Sequence, residues 1–400
     1  MSEQRQINML CIATYLKGEA FLRQAKRDGC HIILVTLEKL RDADWPRDAI
    51  DEIYFMPNEH SRDDVLKGIS YLARSREIHR IVPLDEFDQE TAAMLREHLR
   101  VPGMGETTAR YFRDKLAMRV KAHNSGLLVP DFVHVLNYDR LREYMARVPP
   151  PWVLKPRSEA AAIGIKKIHN SDELWPLLEA MGDRQSYYVL EHYVPGDIYH
   201  VDSIVFEREV KFNVAHKYGK PPMDVSAGGV FSTRKIPHES ADAQALELLN
   251  RDVIKALGLV RGVTHAEFIK GRDDGRFYFL EIAARVGGAN IAECVEASSG
   301  LNLWAEWARI EVAGEDFAYE LPPHRDDYAG VVISLARQEN PDMSAYTDPE
   351  ITYRLHKKYH AGVVFASPHA ERVEALMDQY SRRFYEDFFT TGPPLDRANA

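Results

Sequence analysis

The chain has 400 residues, a length that favours two or three packed domains over one. Its composition, 45% hydrophobic and 28% charged, is that of a globular protein and excludes a disordered or fibrous chain. The net charge of -10 argues against nucleic-acid binding, which needs basic surface. No apolar run approaches the ~20 residues of a membrane span, and the first residues do not resemble a signal peptide. We therefore expect a cytoplasmic protein without nucleic-acid or membrane partners.

The first hundred residues alternate short apolar runs with helical patterns. The runs INMLCIATYL, HIILVTL and RIVPL are separated by EAFLRQAKRDG and DDVLKGISYLARSRE. This alternation predicts a parallel sheet, so we expect an α/β domain over residues 1–110. The first strand is followed by ATYLKGEA instead of GxGxxG, and the chain has no GxxxxGK[ST] motif. The sequence therefore indicates neither a dinucleotide site nor a Walker phosphate loop.

From Tyr111 onward the pattern changes to helices and antiparallel strands. The helical segment RYFRDKLAMRVKAHNSG ends at Gly126, a typical helix stop. After it come the strands WVLKP, IGIKKI and YYVLEHYV, and then two hairpins, DIYHVDSIVF with EVKFNVAH and GVTHAEFIK with RFYFLEIAA. Residues 326–400 form a last unit, in which two apolar runs precede a final helix.

The second hairpin carries the strongest chemical signal. If Asp273 to Gly275 form a three-residue loop with Gly275 left-handed, opposed residues have numbers that sum to 548, and Glu267 faces Glu281. Carboxylates opposed in this way repel each other unless a cation compensates, and oxygen ligands on a rigid sheet suit Mg²⁺. The alternative is a pair of solvated carboxylates. Both glutamates, however, lie in apolar runs, HAEFI and YFLEIAA, where an uncompensated charge is costly.

The residues after this hairpin suggest an anion site. If the strand continues, Arg285 lies on the face of Glu281, where its guanidinium could bind a carboxylate or a phosphoryl oxygen. Gly287 and Gly288 precede a helical pattern that Asn290 opens, so exposed backbone N–H groups could approach a ligand there. The alternatives are an ordinary glycine turn and, for Arg285, a structural ion pair with Glu293 or Glu296 on the following helix.

A second, basic segment lies earlier in the chain. In WVLKP, Lys155 ends an apolar strand and could pair with a phosphate, or its apolar stem could simply cover the strand end. Residues 158–164 are nearly all small, which allows close backbone approach to a phosphate. An alanine-rich surface loop would have the same composition.

Three polar positions on neighbouring strands could be mistaken for a zinc site. His200 and Asp202 share a strand face, and His265 lies two residues before Glu267. No further ligand occurs at a suitable spacing, so the sequence does not indicate zinc. We expect His265 to face the same cleft as Glu267, as a polar wall or a substrate contact.

The connection HKYGKPPMDVSAGGVFSTRK has about 20 residues without clear periodicity, and such connections are often functional. An ordinary irregular connection is the alternative. The positions in it that we expect to meet a substrate are His216, Ser226, Gly228, Gly229 and Arg234.

Taken in order, these motifs resemble the ATP-grasp superfamily of carboxylate-amine ligases. The similarity covers about 111–316 and includes VLKP, the small-residue loop, LEHYVPGD, HAEF and LEIAARVGGAN. The spellings EIAAR and LKPRSEAAAIGI look most like the bacterial L-amino-acid ligases and the carnosine-synthase-like group. The resemblance implies an α/β and α+β protein with the ATP-grasp fold. The implied units are a pre-ATP-grasp domain at 1–110, an ATP-grasp domain at 111–325 with a lid subdomain at about 111–190 and a catalytic subdomain at about 191–325, and a C-terminal α+β subdomain at 326–400.

The resemblance also implies roles for individual residues. The implied ligands of ATP are Lys115, Lys155, Ser158, Gly164, Glu191, Tyr193, Val194 and Asp197. Glu267 and Glu281 would bind Mg²⁺, with Mn²⁺ as an alternative ion. Arg285, together with Lys155, would stabilise the developing charge. The candidate substrate contacts, which follow from the residues themselves, are His216, Ser226, Gly228, Gly229, Arg234, His265, Gly287, Gly288 and Asn290.

The implied activity is an ATP-dependent ligation. A small carboxylate, such as that of an amino acid, would be activated as an acyl phosphate and joined to an amine, with release of ADP and phosphate. Many relatives have asparagine, a metal ligand, where this chain has Ala283. We therefore keep two alternatives, a carboxylase that acts through carboxyphosphate and a non-catalytic nucleotide-binding regulator. The expected partners are small carboxylate and amine substrates, and a homodimer is left open.

Overall fold

The computed structural model describes residues 6–160, 162–226, 229–314 and 317–392, and these residues form three β-sheets. One sheet is parallel, as the alternating pattern of the first hundred residues predicts. The other two are antiparallel. Among the described residues, no helix has the length and apolar character needed to cross a membrane.

The first domain is an open parallel sheet between two helical layers. Its elements are β1 (Asn8–Ala13), α1 (Glu19–Arg27), β2 (His31–Leu37), β3 (Glu52–Met56), α2 (Arg62–Leu72), β4 (Arg80–Pro83) and α3 (Gln89–Leu99). The strand order is β3-β2-β1-β4. Side chains on both faces of β1 and β2 are buried, which explains why these strands are continuous hydrophobic runs in the sequence.

The next segment forms a smaller antiparallel sheet with its own helices. Its elements are α4 (Glu106–Arg110), α5 (Lys115–Asn124), β5 (Phe132–His134), α6 (Tyr138–Arg147), β6 (Trp152–Pro156), β7 (Lys166–Ile168), α7 (Ser171–Met181) and β8 (Tyr188–His192). The strand order is β5-β8-β6-β7.

Helix α5 positions one of the predicted ATP ligands, because Lys115 is its first residue. The carboxylate of Asp114 caps the helix by accepting the backbone N–H groups of Leu116 and Ala117 at 2.9 and 3.3 Å. The predicted stop is confirmed, since Gly126 follows the helix end in the left-handed conformation, with φ of 81°.

The remaining strands form one sheet of eight. The strands are β9 (Gly196–Phe206), β10 (Glu209–Tyr218), β11 (Phe231–Lys235), β12 (Gly262–Gly271), β13 (Phe277–Ala283), β14 (Tyr328–Leu335), β15 (Ile351–Arg354) and β16 (His360–Ser367). The helices are α8 (Pro222–Ser226), α9 (Ala241–Leu257), α10 (Ile291–Ser299), α11 (Leu303–Ala313) and α12 (Ala370–Asp387). The strand order is β13-β12-β9-β10-β11-β14-β16-β15. Because β11 pairs with β14, the strands of the predicted C-terminal unit extend the central sheet and do not form a sheet of their own.

Helices cover both faces of this sheet. On one face, α9 packs Leu246 and Val253 against Phe268 and Phe279. On the other face, α11 packs Trp307 against the sheet. This second face also carries Glu267 and Glu281, which lie at one end of it among polar side chains.

The β12–β13 hairpin contains a β-bulge that its sequence did not reveal. Gly275 is left-handed as predicted, with φ of 67°. Next to the turn, however, Lys270 opposes Phe277, so the predicted register is wrong there by one residue. The register shifts between Phe268 and Glu267, and beyond that point Glu267 opposes Glu281 as predicted.

Buried Arg119 accounts for the bulge. The extra residue on β13 is Leu280, whose carbonyl accepts a hydrogen bond from the guanidinium of Arg119. The adjacent N–H of Phe279 donates to the carbonyl of Leu128 at 2.9 Å. These contacts satisfy backbone groups that a bulge removes from the ladder.

Candidate active site

The two opposed glutamates are each held by a side chain from another element. Tyr218 Oη donates a 2.8 Å hydrogen bond to Glu267 Oε1, and Lys115 Nζ lies 2.9 Å from Glu281 Oε2. Burial raises the pKa of Glu267, but nearby His265 and the Tyr218 hydroxyl more than offset this and keep the pKa below its ordinary value. Both carboxylates therefore stand on one sheet face as acceptors.

This pair fits a divalent cation. The contacts just described engage one oxygen of each carboxylate, and the residues sit on a rigid hairpin whose register the bulge fixes. A cavity of about 40 Å³ adjoins Glu281 and is also lined by Lys115 and Arg285. Hard oxygen donors beside a small polar cavity are the donor set that Mg²⁺ prefers.

Lys115 also joins the first turn of α5 to the small-residue loop at 158–164. Its Nζ donates to the carbonyl of Glu159 at 2.7 Å while it pairs with Glu281. Arg113 Nη2 donates to the carbonyl of Ser158. The two cations therefore hold the start of residues 158–164 against the cavity.

Gly164 is the last residue of the same segment, and its position disfavours a side chain. Its φ is 71°, and a Cβ atom at this position would lie 2.9 Å from Pro156 Cγ. A side chain would therefore be strained both by the backbone conformation and by the contact. Residue 161, which lies between the predicted ATP ligands Ser158 and Gly164, is outside the described residues.

Lys155 and Glu191 lie on neighbouring strands and bind each other. Lys155 Nζ is 2.6 Å from Glu191 Oε2, and Arg119 Nε is 2.8 Å from Glu191 Oε1. Burial raises the pKa of Glu191, but the two cations outweigh it and lower that pKa to about 2. The predicted ATP ligands Lys155 and Glu191 thus form one buried ion-pair cluster with Arg119.

The other predicted nucleotide residues follow β8 in the chain. The Tyr193 N–H donates to the carbonyl of Pro151 at 3.1 Å, and Lys167 Nζ lies 3.7 Å from the centre of the Tyr193 ring. Val194 is partly buried, and Asp197 is exposed and pairs with Lys217 at 2.6 Å.

Arg285 reaches the site but is held by the first domain. Its Nη2 and Nε lie 2.7 and 2.9 Å from Glu86 Oε2, and the expected alternative partners Glu293 and Glu296 do not take this place. Arg113 Nη1 is 3.8 Å from the other oxygen of Glu86. Burial raises the pKa of Glu86, but these arginines lower it to about 2.

The glycines after Arg285 differ in their surroundings. A Cβ at Gly287 would lie 2.9 Å from Asp202 Oδ1, so this glycine allows the loop to pack closely on the sheet. Gly288 has open space around its Cα, and its carbonyl accepts the N–H of Ile291. Asn290, left-handed with φ of 56°, precedes α10.

A buried polar network lies beneath Glu267. His265 Nδ1 and His200 Nδ1 lie 2.9 and 2.7 Å from the two oxygens of Asp202, and His200 Nε2 lies 2.8 Å from Thr233 Oγ1. Burial lowers the pKa of His265, but the carboxylate of Asp202 raises it to about 9. The ligand atoms of the two histidines and Asp202 lie within 4.8 Å of one another, closer than the sequence spacing indicated. Their mutual hydrogen bonds account for this cluster.

Two predicted substrate contacts do not reach the cavity. His216 is fully buried and stacks on His200, with 4.7 Å between the ring centres, because its strand lies in the middle of the sheet. Arg234 points to the opposite face from Lys235 and pairs with Glu374 of α12 at 2.8 Å. Neither side chain lines the cavity, so both assignments stay predictions. His265, in contrast, lines the cavity.

The remaining predicted contacts belong to the β10–β11 connection. Gly228 lies outside the described residues, and Ser226 is the last residue of α8. A Cβ at Gly229 would lie 3.4 Å from Tyr385 Oη, so this position packs against the C-terminal helix.

Sequence reasoning missed the residues that hold the predicted ones. These are Glu86, Arg113, Arg119, Glu159 and Tyr218. One signal was present for Glu86, which follows a parallel strand in VPLDEFD, because ligand sites lie at the carboxyl ends of such strands. The others have no local pattern that separates them from surface charges or ordinary strand residues.

Comparison with known proteins agrees with this architecture. Residues 148–293 match the ATP-grasp domain family. An L-arginine-specific L-amino acid ligase from Bacillus subtilis is 26% identical over 238 residues, which are 58% of this chain and 57% of that protein. The chain is thus aligned with little more than half the length of this relative.

Two solved structures share the fold over nearly the whole chain. An L-amino acid ligase from Bacillus licheniformis superposes with a TM-score of 0.75 at 17% identity, over 97% of this chain and 100% of that chain. An N5-carboxyaminoimidazole ribonucleotide synthetase from Thermus thermophilus gives a TM-score of 0.72 at 16% identity, over 94% and 98% of the two chains. The chain therefore carries a match to the ATP-grasp domain family over residues 148–293 and is similar to L-amino acid ligases.

Proposed function

We propose that the protein is an ATP-dependent carboxylate-amine ligase. The terminal phosphoryl group of ATP passes to a carboxylate oxygen, which gives an acyl phosphate and ADP. An amine then attacks the acyl carbon, the C–N bond forms, the C–O bond to phosphate breaks, and the amine loses a proton. The observation that carries the proposal is the opposition of Glu267 and Glu281, with Glu281 lining a cavity that Lys115 and Arg285 also line.

Several groups would neutralise the negative charge of the phosphates in this reaction. Glu267 and Glu281 would hold Mg²⁺, which supplies charge neutralisation at the transferring phosphoryl group. Lys115 already lies 2.9 Å from Glu281 and can neutralise a phosphate oxygen at the same place. Lys155 would exchange part of its contact with Glu191 for a phosphate oxygen, and Arg119 would keep Glu191 paired.

Arg285 is suited to the second half of the reaction. Its planar guanidinium can donate two parallel hydrogen bonds to an acyl phosphate or to the oxyanion that forms when the amine attacks. Glu86 fixes its orientation before substrate arrives. Such preorganised donors lower the barrier because they need not reorient as charge develops.

An amino acid is the carboxylate that the comparisons favour. The Bacillus subtilis relative is named for L-arginine and for L-amino acid ligation, and the Bacillus licheniformis structure is also an L-amino acid ligase. At these identities, the similarity supports the class of reaction but does not select the side chain of the amino acid substrate. We therefore propose an L-amino acid as the carboxylate substrate and leave its side chain to experiment.

A pooled assay tests the proposal. The purified protein is incubated with ATP, MgCl₂ and pools of the twenty amino acids, and ADP release and new amide masses are recorded. Hydroxylamine in a parallel reaction traps an acyl phosphate as a hydroxamate. We expect ADP release that depends on an amino acid, together with amide or hydroxamate product.

Other results would favour the alternatives. Release of ADP that depends on bicarbonate and on no amino acid would replace the proposal with a carboxylase. Nucleotide binding by calorimetry without ADP release in any pool would indicate a regulator. Either outcome contradicts the ligase.

A further inference from the structure

The connection between β10 and β11 is fastened to the C-terminal helix at two points. Tyr385, near the end of α12, accepts a 3.0 Å hydrogen bond from Lys220 Nζ on the β10 side. The same hydroxyl oxygen accepts the N–H of Val230, at 3.2 Å, on the β11 side. One oxygen atom therefore sets the distance between the two ends of the connection that carries α8.

The β10 end of this connection adjoins the candidate active site. Tyr218, the last residue of β10, donates to Glu267, and Lys220 follows two residues later. The N–H of Gly219 donates to the carbonyl of Ser232 at 2.8 Å, which keeps the two strands together at this point. The connection therefore begins directly after the residue that contacts Glu267.

Further contacts show that helix and connection fit closely. Arg234 on β11 pairs with Glu374 of α12 at 2.8 Å, on the sheet face opposite to Glu267. Lys220 Nζ lies 5.2 Å from the centre of the Tyr385 ring, and its hydrogen bond lowers the pKa of the Tyr385 hydroxyl. The Tyr385 oxygen thus accepts both a charged and a backbone donor.

We propose that Tyr385 is a positioning residue that holds the two ends of the β10–β11 connection in place beside the candidate active site, and that this order favours binding of the carboxylate substrate. The inference rests on the proposed ligase function. The predicted nucleotide residues Lys155, Glu191 and Asp197 lie on β6, β8 and β9, which Tyr385 does not contact in the described hydrogen bonds. Loss of the hydroxyl should therefore affect the amino acid substrate and spare the nucleotide.

The variant Tyr385→Phe removes the acceptor oxygen and keeps the ring. Hydrogen-deuterium exchange of the full chain should show faster exchange of the Val230 amide, while the Gly219 amide keeps its rate. In the hydroxamate assay, with hydroxylamine and the amino acid that the wild type uses, KM for that amino acid should rise roughly fivefold to tenfold, the scale of one lost hydrogen bond. The Kd for MgADP by calorimetry should change less than twofold.

A matched control lies on the same helix. Tyr380→Phe also removes one hydroxyl, which bonds to Asp348 in the C-terminal core away from the connection. It should leave both the Val230 exchange rate and KM for the amino acid unchanged, whatever it does to the melting temperature. The melting temperature of Tyr385→Phe shows whether that variant is folded in each assay.

The outcomes separate the two proposals. Unchanged exchange at Val230 in a folded Tyr385→Phe overturns the anchor, and faster exchange with unchanged KM overturns its role in substrate binding. If the wild type forms no hydroxamate or amide from any amino acid, the ligase function fails and the substrate role fails with it. The exchange rate still decides in that case whether Tyr385 anchors the connection.

Discussion

Arg285 and Glu86 form a largely buried ion pair that joins the parallel sheet to the central sheet at the candidate active site. Two guanidinium nitrogens, Nη2 and Nε, contact the same carboxylate oxygen at 2.7 and 2.9 Å. The third nitrogen, Nη1, donates to the carbonyl of Val286 at 2.9 Å. Glu86 follows a parallel strand of the first domain, and Arg285 follows the hairpin of the central sheet. The contact between these two parts of the chain therefore sets the orientation of Arg285.

The pair predicts a specific loss in Arg285→Lys. A lysine keeps the positive charge but cannot form the two parallel bonds of a guanidinium. We expect product formation to fall by roughly 100-fold, the scale for loss of one transition-state donor. Affinity for MgADP should stay within a few-fold of the wild type. Product assays and calorimetry on the same preparation measure both quantities.

Arg309→Lys is the matched control for this change. Arg309 lies on α11 and pairs with Glu306, far along the chain from the cavity residues. It should leave the rate unchanged. If Arg285→Lys lowers only the melting temperature and keeps the wild-type rate, the residue is structural and the catalytic assignment is wrong.

The carboxylate pair predicts a metal effect in Glu281→Gln. The amide keeps the shape of the side chain but removes the charge that faces Glu267, so Mg²⁺ would lose an anionic ligand. We expect ADP release to fall at least about 100-fold and the Mg²⁺ concentration for half-maximal rate to rise. Titration of MgCl₂ at saturating ATP provides the measurement. Glu209→Gln, an exposed carboxylate at the start of β10, should change neither value, and a near-normal Glu281→Gln would contradict the metal assignment.

Lys155 should contribute to nucleotide affinity. In Lys155→Met the apolar stem stays and the ammonium group is lost, while Arg119 still pairs with Glu191. We expect Kd for MgADP to rise about tenfold or more, which is the scale of a charge-assisted hydrogen bond. Calorimetric titration measures this against Lys166→Met, an exposed position on β7. Equal affinity in the two variants would mean that Lys155 serves only to pair with Glu191.

A buried carboxyl in the first domain predicts a pH dependence of stability. Burial, with a smaller contribution from the charge of Asp85, raises the pKa of Asp88 to about 7, although Thr14 N–H donates to it at 2.9 Å. Its pKa in the unfolded chain is near 3.8. The folded state therefore binds the proton more tightly, and the stability that this proton provides is present below pH 4 and lost as pH rises through 7.

The variant Asp88→Asn stays neutral and should lack this dependence. Between pH 4 and pH 8 its free energy of unfolding, relative to the wild type, should increase by about 2 to 4 kcal/mol. Urea denaturation at several pH values measures the difference. Asp63→Asn, an exposed residue in the first turn of α2, is the control. A constant difference between Asp88→Asn and the wild type across this range would show that Asp88 does not hold a proton in the folded protein.

Local patterns in the sequence determined the elements and much of the chemistry. The alternation of apolar runs and helical segments predicted the parallel sheet, because strand and helix periodicities are properties of neighbouring residues. Gly126 predicted the end of α5, since a left-handed residue is needed there. The apolar surroundings of Glu267 and Glu281 likewise predicted that these carboxylates are compensated.

Only the tertiary structure decided how these pieces meet. If the observed pairing of Lys270 with Phe277 continued along the hairpin, Glu281 would lie on the wrong face. The bulge at Leu280, held by Arg119 from α5, restores the opposition of Glu281 to Glu267. The pairing of β11 with β14 placed the C-terminal strands in the central sheet, and the position of β10 within that sheet buried His216. Glu86 holds Arg285 across 199 positions of sequence. Contacts of this kind depend on which surfaces pack together, and no local periodicity of the sequence encodes them.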